Sequence, residues 1–401
     1  MERATPSSEN AGSGPGGGLS AVDGPRTSLR ELALLFLRLG TTAFGGPAAH
    51  IAMMRDEVVR RRQWLTDAEY LDLLGATNLI PGPNSTEMAI HVGWARRRWP
   101  GLLVAGLSFI VPATLITGAL AWAYVRFGAV PQVTWLLYGV KPVILAVIVQ
   151  AIWGLAPQAA RSWPLRALGS AAVAASALGV NELVVLFGAG AVLGAGRAVL
   201  TRGKGASLGV VPFLPAAGAS LAASAVTLPG LFWVFAKTGA VLFGSGYVLL
   251  AFLRADLVER LHWMTESQLI DAIAVGQVTP GPVFTSATFI GYLLAGPGGA
   301  LVATAGIFLP AFVFVALSGP LVPRLRASRL AGAILDGVNV ASLALMAVVT
   351  AQLGKAAVVD VPTALIALLG ALLLFRFRVN SAWIVLAGGA AGALFHLVGM
   401  A

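Results

Sequence analysis

The sequence predicts an all-α polytopic membrane protein. Two homologous halves lie in inverted orientation, with about 12–13 transmembrane segments and helices broken at Pro-Gly-Pro. Three observations carry this. Of 401 residues, 57% are hydrophobic and 11% charged, and mean hydropathy is +0.83; an ordinary soluble domain carries roughly 25% charged residues. The second half repeats the first at a shift of 199 residues. The arginine runs between apolar segments follow opposite phases in the two halves.

Composition excludes several function classes. The net charge is +10, from 27 basic and 17 acidic residues. Runs such as Arg60-Arg61-Arg62 and Arg96-Arg97-Arg98 flank apolar segments, which points to lipid headgroups and not to nucleic acid. There is no Cys, so disulfides, thiolate metal sites and thiol catalysis are excluded. No Walker-type loop, metal-ligand spacing or hydrolase nucleophile motif is present. A non-enzyme without cofactor or metal is expected.

In chain order, residues 1–28 read as a disordered Gly/Ser/Pro-rich tail, with no removable signal peptide. A first repeat covers 29–198, with apolar segments near 30–46, 68–94, 101–125, 132–156, 165–179 and 182–198. A linker covers 199–229, and its uncharged stretch Leu208–Leu228 can supply one extra crossing. A second repeat covers 230–401, with segments near 230–246, 267–292, 298–320, 331–353, 361–376 and 381–399. Several are short or carry Gly and Pro, so some are expected to be half-helices or re-entrant.

The repeat is strong. From Gly40 to Thr86, 14 of 47 positions are identical to those 199 residues later, where chance gives about three. With one deletion the match runs on through Pro112/Pro310 to Gly139-Val140/Gly337-Val338. Inversion follows from charge. In the second half the odd-numbered loops hold Arg254, Arg260, Arg324, Arg326, Arg329, Arg376 and Arg378, against Lys355 in the even ones. In the first half the even loops and end hold Arg96, Arg97, Arg98, Arg161, Arg166, Arg197, Arg202 and Lys204. The odd ones there hold Arg55, Arg60, Arg61, Arg62 and Arg126. The arginine-rich sides are cytoplasmic, with the N-terminus inside and the C-terminus outside.

The sharpest motif is Pro81-Gly82-Pro83-Asn84 and its mate Pro280-Gly281-Pro282-Val283. Each follows a capping box, Thr66–Glu69 or Thr265–Gln268, by about 15 residues, a rise of about 22 Å that carries the motif deep into the bilayer. Two prolines remove two N–H donors and break the helix. A new half-helix then starts, capped by Asn84, Ser85 or Thr285, and its free N–H groups suit an anion. The alternative is a plain proline kink.

Phe44-Gly45-Gly46-Pro47 and Phe243-Gly244-Ser245-Gly246 end the first segment of each half. Their glycines allow close approach of a ligand or of another helix. Glu87 and His91 share one helix face. They either carry protons or play a bland part, with Glu87 paired to an Arg and His91 at the interface. Lys141 either attracts an anion or pairs with an acid. Arg55 and Arg254, at equivalent positions, either draw anions into a vestibule or pair with nearby acids and lipid headgroups.

Phe44-Gly45-Gly46-Pro47, then Trp64-Leu65 before a helix, then Pro81-Gly82-Pro83-Asn84, all repeated, resemble the chromate ion transporter (CHR) family in its long two-domain form. The resemblance covers about 30–399. It implies a multi-pass protein of the bacterial inner membrane that exports chromate and confers resistance. It carries over Phe44, Gly45, Gly46, Pro47, Arg55, Trp64, Pro81, Gly82 and Pro83, with Phe243, Gly244, Arg254, Trp263, Pro280, Gly281 and Pro282. The second half departs at Ser245-Gly246 and Val283. Sulfate, also a tetrahedral dianion, is the alternative cargo, in either direction. Transport is expected to occur by rocking of the two halves.

Overall fold

The structure is a computed structural model that describes residues 27–44, 46–128, 130–201, 225–243, 248–377 and 379–398. The tail expected over 1–28 and the crossing expected over Leu208–Leu228 lie outside these residues, apart from their last few positions.

Fourteen α-helices are present among the described residues. The first half holds α1 (Leu29–Thr42), α2 (Gly46–Arg55), α3 (Asp67–Thr77), α4 (Asn84–Phe127), α5 (Pro131–Ala159), α6 (Trp163–Ala177) and α7 (Glu182–Thr201). The second holds α8 (Leu228–Val241), α9 (Leu249–Leu253), α10 (Glu266–Val278), α11 (Ser286–Ala327), α12 (Arg329–Ala357), α13 (Val361–Arg376) and α14 (Ser381–Leu397). The repeat is visible element by element. Both α2 and α9 run into a π-helical turn, Asp56–Arg61 or Arg254–Arg260. Both capping boxes form as expected, at Thr66/Glu69 and Thr265/Gln268.

Length decides which helices cross. Helix α1 has 14 residues and α3 has 11, about 21 and 16 Å against a core of about 30 Å. Each instead forms one arm of a hairpin that turns back inside the membrane. A single side chain shows this. Arg96, late in the first arm of α4, donates from Nε to Thr27 Oγ1 and from Nη1 to Trp64 O, both at 2.9 Å. The start of α1, the loop before α3 and the end of that arm therefore lie at one level. The chain leaves this level at α1 and returns by Trp64, then leaves at α3 and returns by Arg96. The segments expected near 30–46, 68–94, 230–246 and 267–292 all belong to such hairpins.

Helices α4 and α11 are themselves folded in two. Arg97 and Arg98 leave helical geometry in α4, as Ala295 and Gly296 do in α11. A Cβ on Gly93 would lie 2.3 Å from Gly101 O, and one on Gly291 2.3 Å from Gly299 O. Residues eight apart in a straight helix are separated by about 12 Å, so the arms fold back on each other. The second arms then cross the membrane, as do α5 and α12, each of 29 residues. Helix α7, of 20 residues, is long enough too, whereas α6, α13 and α14, of 15, 16 and 17 residues, are shorter than the core and pack along α12 and α5.

Contacts between the halves fix their relative direction. Arg161, just after α5, meets Asp336, near the start of α12, at 2.5 Å. Tyr138, near the start of α5, donates to Asp360, just before α13, at 2.5 Å. Helices α5 and α12 are thus antiparallel, and the repeats are inverted. Leu208–Leu228 is bracketed by ends on opposite faces: Gly194 of α7 packs near Leu330, and Leu228 near Gly298.

The inversion corrects the side assigned to several arginines. Arg55, Arg60, Arg61 and Arg62 share a face with Arg96, Arg97, Arg98 and Arg161, whereas Arg254 and Arg260 lie on the face opposite Arg329 and Arg376. Counting helices in sequence misplaced them, because a re-entrant hairpin returns the chain to the side it left.

The packing divides the helices into two bodies, and neither is a sequence half. The hairpin core joins α1–α4 to α8–α11, with α4 against α11. The frame joins α5–α7 to α12–α14, with α5 between α13 and α14, and α12 between α6 and α7. Each half thus holds a helix of the other, so the halves cannot rock as rigid units. Leu365, Leu368, Leu369 and Leu372 point outward from α13, as a lipid-facing surface requires.

Cysteines introduced one at a time at Arg60 and Trp99 are expected to react with an impermeant thiol reagent from one side of the membrane. Those at Leu178 and Val359 are expected to react from the other. Labelling of positions 60 and 99 from opposite sides would remove the re-entrant hairpins.

Candidate functional site

The four hairpin tips meet near mid-depth and are tied crosswise. Gly82 N–H donates to Leu242 O at 2.8 Å, and Gly281 N–H donates to Ala43 O at 2.9 Å. Each Pro-Gly-Pro thus bonds the residue just before the Phe-Gly of the other half. Proline explains the geometry. With the flanking N–H groups gone, glycine is the one donor in each motif, and it bonds outside its own helix. Both glycines adopt positive φ, 145° at Gly82 and 87° at Gly281, where a side chain is strained. Space is short as well. A Cβ on Gly281 would sit 2.8 Å from Ala113 Cβ and 2.9 Å from Gly40 O. One on Gly82 would sit 2.3 Å from Glu87 Oε1.

Three of the tips, all but that between α10 and α11, border a cavity of about 790 Å³. On the core side it is lined by Pro47, Ile51, Asn78, Asn84 and Val248. On the frame side it is lined by α5, including Gln150 and Gln158, and by Asn339, Ser342 and Met346 of α12. It reaches Arg161 and Asp336, the cross-half pair on the arginine-rich face. Asn84 Nδ2 donates to Asn78 Oδ1 at 3.0 Å across the first break. The cavity therefore presents side-chain amides, Asn84 at the start of α4 among them, and a hydroxyl to a guest, with the Arg161–Asp336 pair at its edge. Such a lining can offer N–H and O–H dipoles to an anion.

The second break is built differently. Thr117 Oγ1 donates to Thr285 Oγ1 at 3.2 Å, with Thr279 Oγ1 at 3.5 Å, and Thr285 and Thr279 donate in turn to Pro282 O and Gly276 O. All three threonines are buried, and none lines the cavity. A smaller cavity of about 340 Å³ lies on the opposite face, lined by the α6–α7 turn, Arg254 to Arg260 and Gln352.

The expected residues separate into groups. Pro47 and Asn84 reach the large cavity, Pro81, Gly82 and Pro83 shape a tip beside it, and Pro280, Gly281 and Pro282 shape the tip that does not border it. Gly46 starts α2 with φ 76°; Phe44 is exposed and Phe243 half-buried. Gly45, Gly244, Ser245 and Gly246 lie outside the described residues. Glu87 and His91 are buried on the first arm of α4. Arg55 pairs with Asp67 at 2.7 Å, and Arg254 with Glu266 at 2.5 Å and with Glu259. Both tie a π turn to the next helix.

Lys141 stands away from the cavity. Its Nζ lies 3.3 Å from Asp271 Oδ1 and 2.5 Å from Ser267 Oγ, and Tyr124 OH donates to the same Asp271 at 2.9 Å. This pair joins the frame to the core. The sequence reading missed Asn78, Gln150, Gln158, Arg161 and Ser342. The signal for Asn78, Gln150, Gln158 and Ser342 was only a single amide or hydroxyl among apolar residues, and Arg161 read as one loop charge among several.

The Chromate transporter family model matches residues 30–195 and 215–393. A chromate transport protein of Cupriavidus metallidurans is 36% identical over 91% of this chain and 92% of its own length. One from Pseudomonas aeruginosa is 30% identical over 92% and 93%. An uncharacterised transporter of Methanocaldococcus jannaschii is 24% identical over 87% and 90%. No solved structure matches the chain.

Gly281→Ala is expected to lower thermal stability in detergent more than Gly82→Ala. The first meets backbone, the second the movable end of a side chain, on top of about 1–3 kcal/mol of backbone strain in each. Lys141→Met is expected to cost about 3 kcal/mol by leaving Asp271 unpaired, and Lys141→Met with Asp271→Asn to recover most of it. Equal melting temperatures for the two glycine variants, or additive losses in the second pair, would contradict these contacts. An inverted pair of repeats crossed at their broken helices, matched by the family model along both halves, makes this chain a member of the chromate transporter family.

Proposed function

We propose that this chain is a secondary transporter that exports chromate across the bacterial inner membrane and so confers chromate resistance. The observation that carries the reading is the cavity at the crossed hairpin tips, which is lined by neutral donors and reached from the arginine-rich face. The positive-inside rule makes that face cytoplasmic, so the cavity loads from the cytoplasm.

A dianion loses much hydration on entering the membrane. The amides of Asn78, Asn84, Gln150 and Asn339 and the Ser342 hydroxyl replace part of that shell. Arg161 supplies the positive charge at the edge, where Asp336 competes for it. These groups read charge and shape, so sulfate is expected to compete with chromate. Relative motion of core and frame, with the cavity along their boundary, gives access first to one face and then to the other. The smaller cavity marks the exit side.

An inside-negative potential favours anion exit by about 2.3 kcal/mol per charge per 100 mV, roughly 4.6 kcal/mol for two charges. Export then needs no ATP. In inverted vesicles with the potential set by potassium and valinomycin, radiolabelled chromate is expected to accumulate when the lumen is positive, with inhibition by sulfate. Sulfate flux without chromate flux would reassign the cargo, and uptake only in right-side-out vesicles would reverse the direction.

A further inference from the structure

Glu87 follows Asn84 by three residues, so the two share a face of the first arm of α4. Asn84 lines the large cavity. Glu87 lies behind it, fully buried, with Oε1 against Gly82. Neither carboxyl oxygen has a hydrogen-bond partner. The break does not require an acid there, because the second half carries Ser286 at the 199-residue shift, with its hydroxyl on Val283 O at 2.9 Å.

The titratable groups on the neighbouring elements are engaged elsewhere or face away. On α1, Glu31 caps the helix start beside Arg30 and Arg38 pairs with Glu57. On α2, His50 contacts Ala43 O and Arg55 pairs with Asp67. On α3, Glu69 closes the cap, Tyr70 bonds Ile51 O and Asp72 is exposed. On α10, Glu266 holds Arg254, and Asp271 holds Lys141 and Tyr124. Tyr292 of α11 is half-buried. His91 shares Glu87's own face one turn further on.

We propose that Glu87 is a proton-binding site coupled to the cavity beside it, so that the oxyanion binds while Glu87 carries a proton and both leave together. The inference rests on the reading that the cavity holds the transported anion. A dianion beside a buried carboxylate repels it strongly, since little solvent separates them. Protonation removes that repulsion. The step balances: one proton from water on the loading side joins a carboxylate oxygen and returns to water on the release side, and no bond of the anion breaks. The net charge moved per chromate falls from two negative charges to one.

The test uses the full chain in proteoliposomes at clamped voltage, in the alkaline range where chromate is wholly dianionic. Above the pH at which Glu87 of the unliganded protein loses its proton, wild-type affinity for chromate is expected to weaken about tenfold per pH unit, because binding must then take up a proton. Glu87→Gln is expected to show a pH-independent affinity. Independently, chromate added to purified wild-type protein in weak buffer in that same pH range is expected to take up one proton per anion bound. That measurement decides the matter even if Glu87→Gln fails to insert. Chromate flux or binding without proton uptake, or an unchanged pH dependence in Glu87→Gln, overturns the proposal and leaves the transport reading standing. A wild type that neither binds nor moves chromate overturns the transport reading first.

Discussion

The fold depends on two hydrogen bonds that exchange partners between the halves, Gly82 N–H to Leu242 O and Gly281 N–H to Ala43 O. A helix broken inside a bilayer leaves peptide groups that no water reaches, and each unsatisfied group is costly there. Here the broken end of one half satisfies the broken end of the other. The solution works only with the halves inverted, so that equivalent tips approach from opposite faces. It also needs glycine at the donor, since both residues combine positive φ with crowded surroundings. Symmetry, break and residue type are one constraint seen three ways.

That constraint shapes the rest of the packing. The tips fasten α1–α4 to α8–α11, and helices α5 and α12 are exchanged across the frame. The pairs Arg161–Asp336 and Tyr138–Asp360 hold the two ends of the frame. Lys141 with Asp271 and Ser267 links frame to core on one side. The large cavity lies along this boundary, where a change in the fit of the two bodies would alter access without breaking either body's internal contacts.

Much of this was legible in the sequence, because the repeat, the capping boxes and the Pro-Gly-Pro breaks depend on residues close together in the chain. The capping box at Thr66 and Glu69 is a three-residue signal, and it forms. What was hidden depends on distant partners. Arg96 reads as the start of an interfacial run, yet its partners lie 69 and 32 residues away, and they alone show that the hairpins turn back. Lys141 finds its acid 130 positions along the chain, in the other half. The amides of Gln150 and Asn339 acquire meaning only when α5 and α12 meet across one cavity.

The symmetry of the scaffold is not carried into its polar chemistry. At the first break, Asn78 and Asn84 face a cavity and Glu87 lies behind them. At the second, Gln277 and Val283 take the asparagine positions, and the buried hydroxyls of Thr279 and Thr285 donate to Gly276 O and Pro282 O, with Thr117 Oγ1 directed at them. Self-satisfied hydroxyls stiffen a junction and offer little to a guest, whereas amides directed at open space remain available. The backbone crossing needs both halves alike; the polar lining of the cavity needs only one of them. Two fused repeats can therefore diverge, with one break open to a cavity and the other closed as the anchor against which it is held.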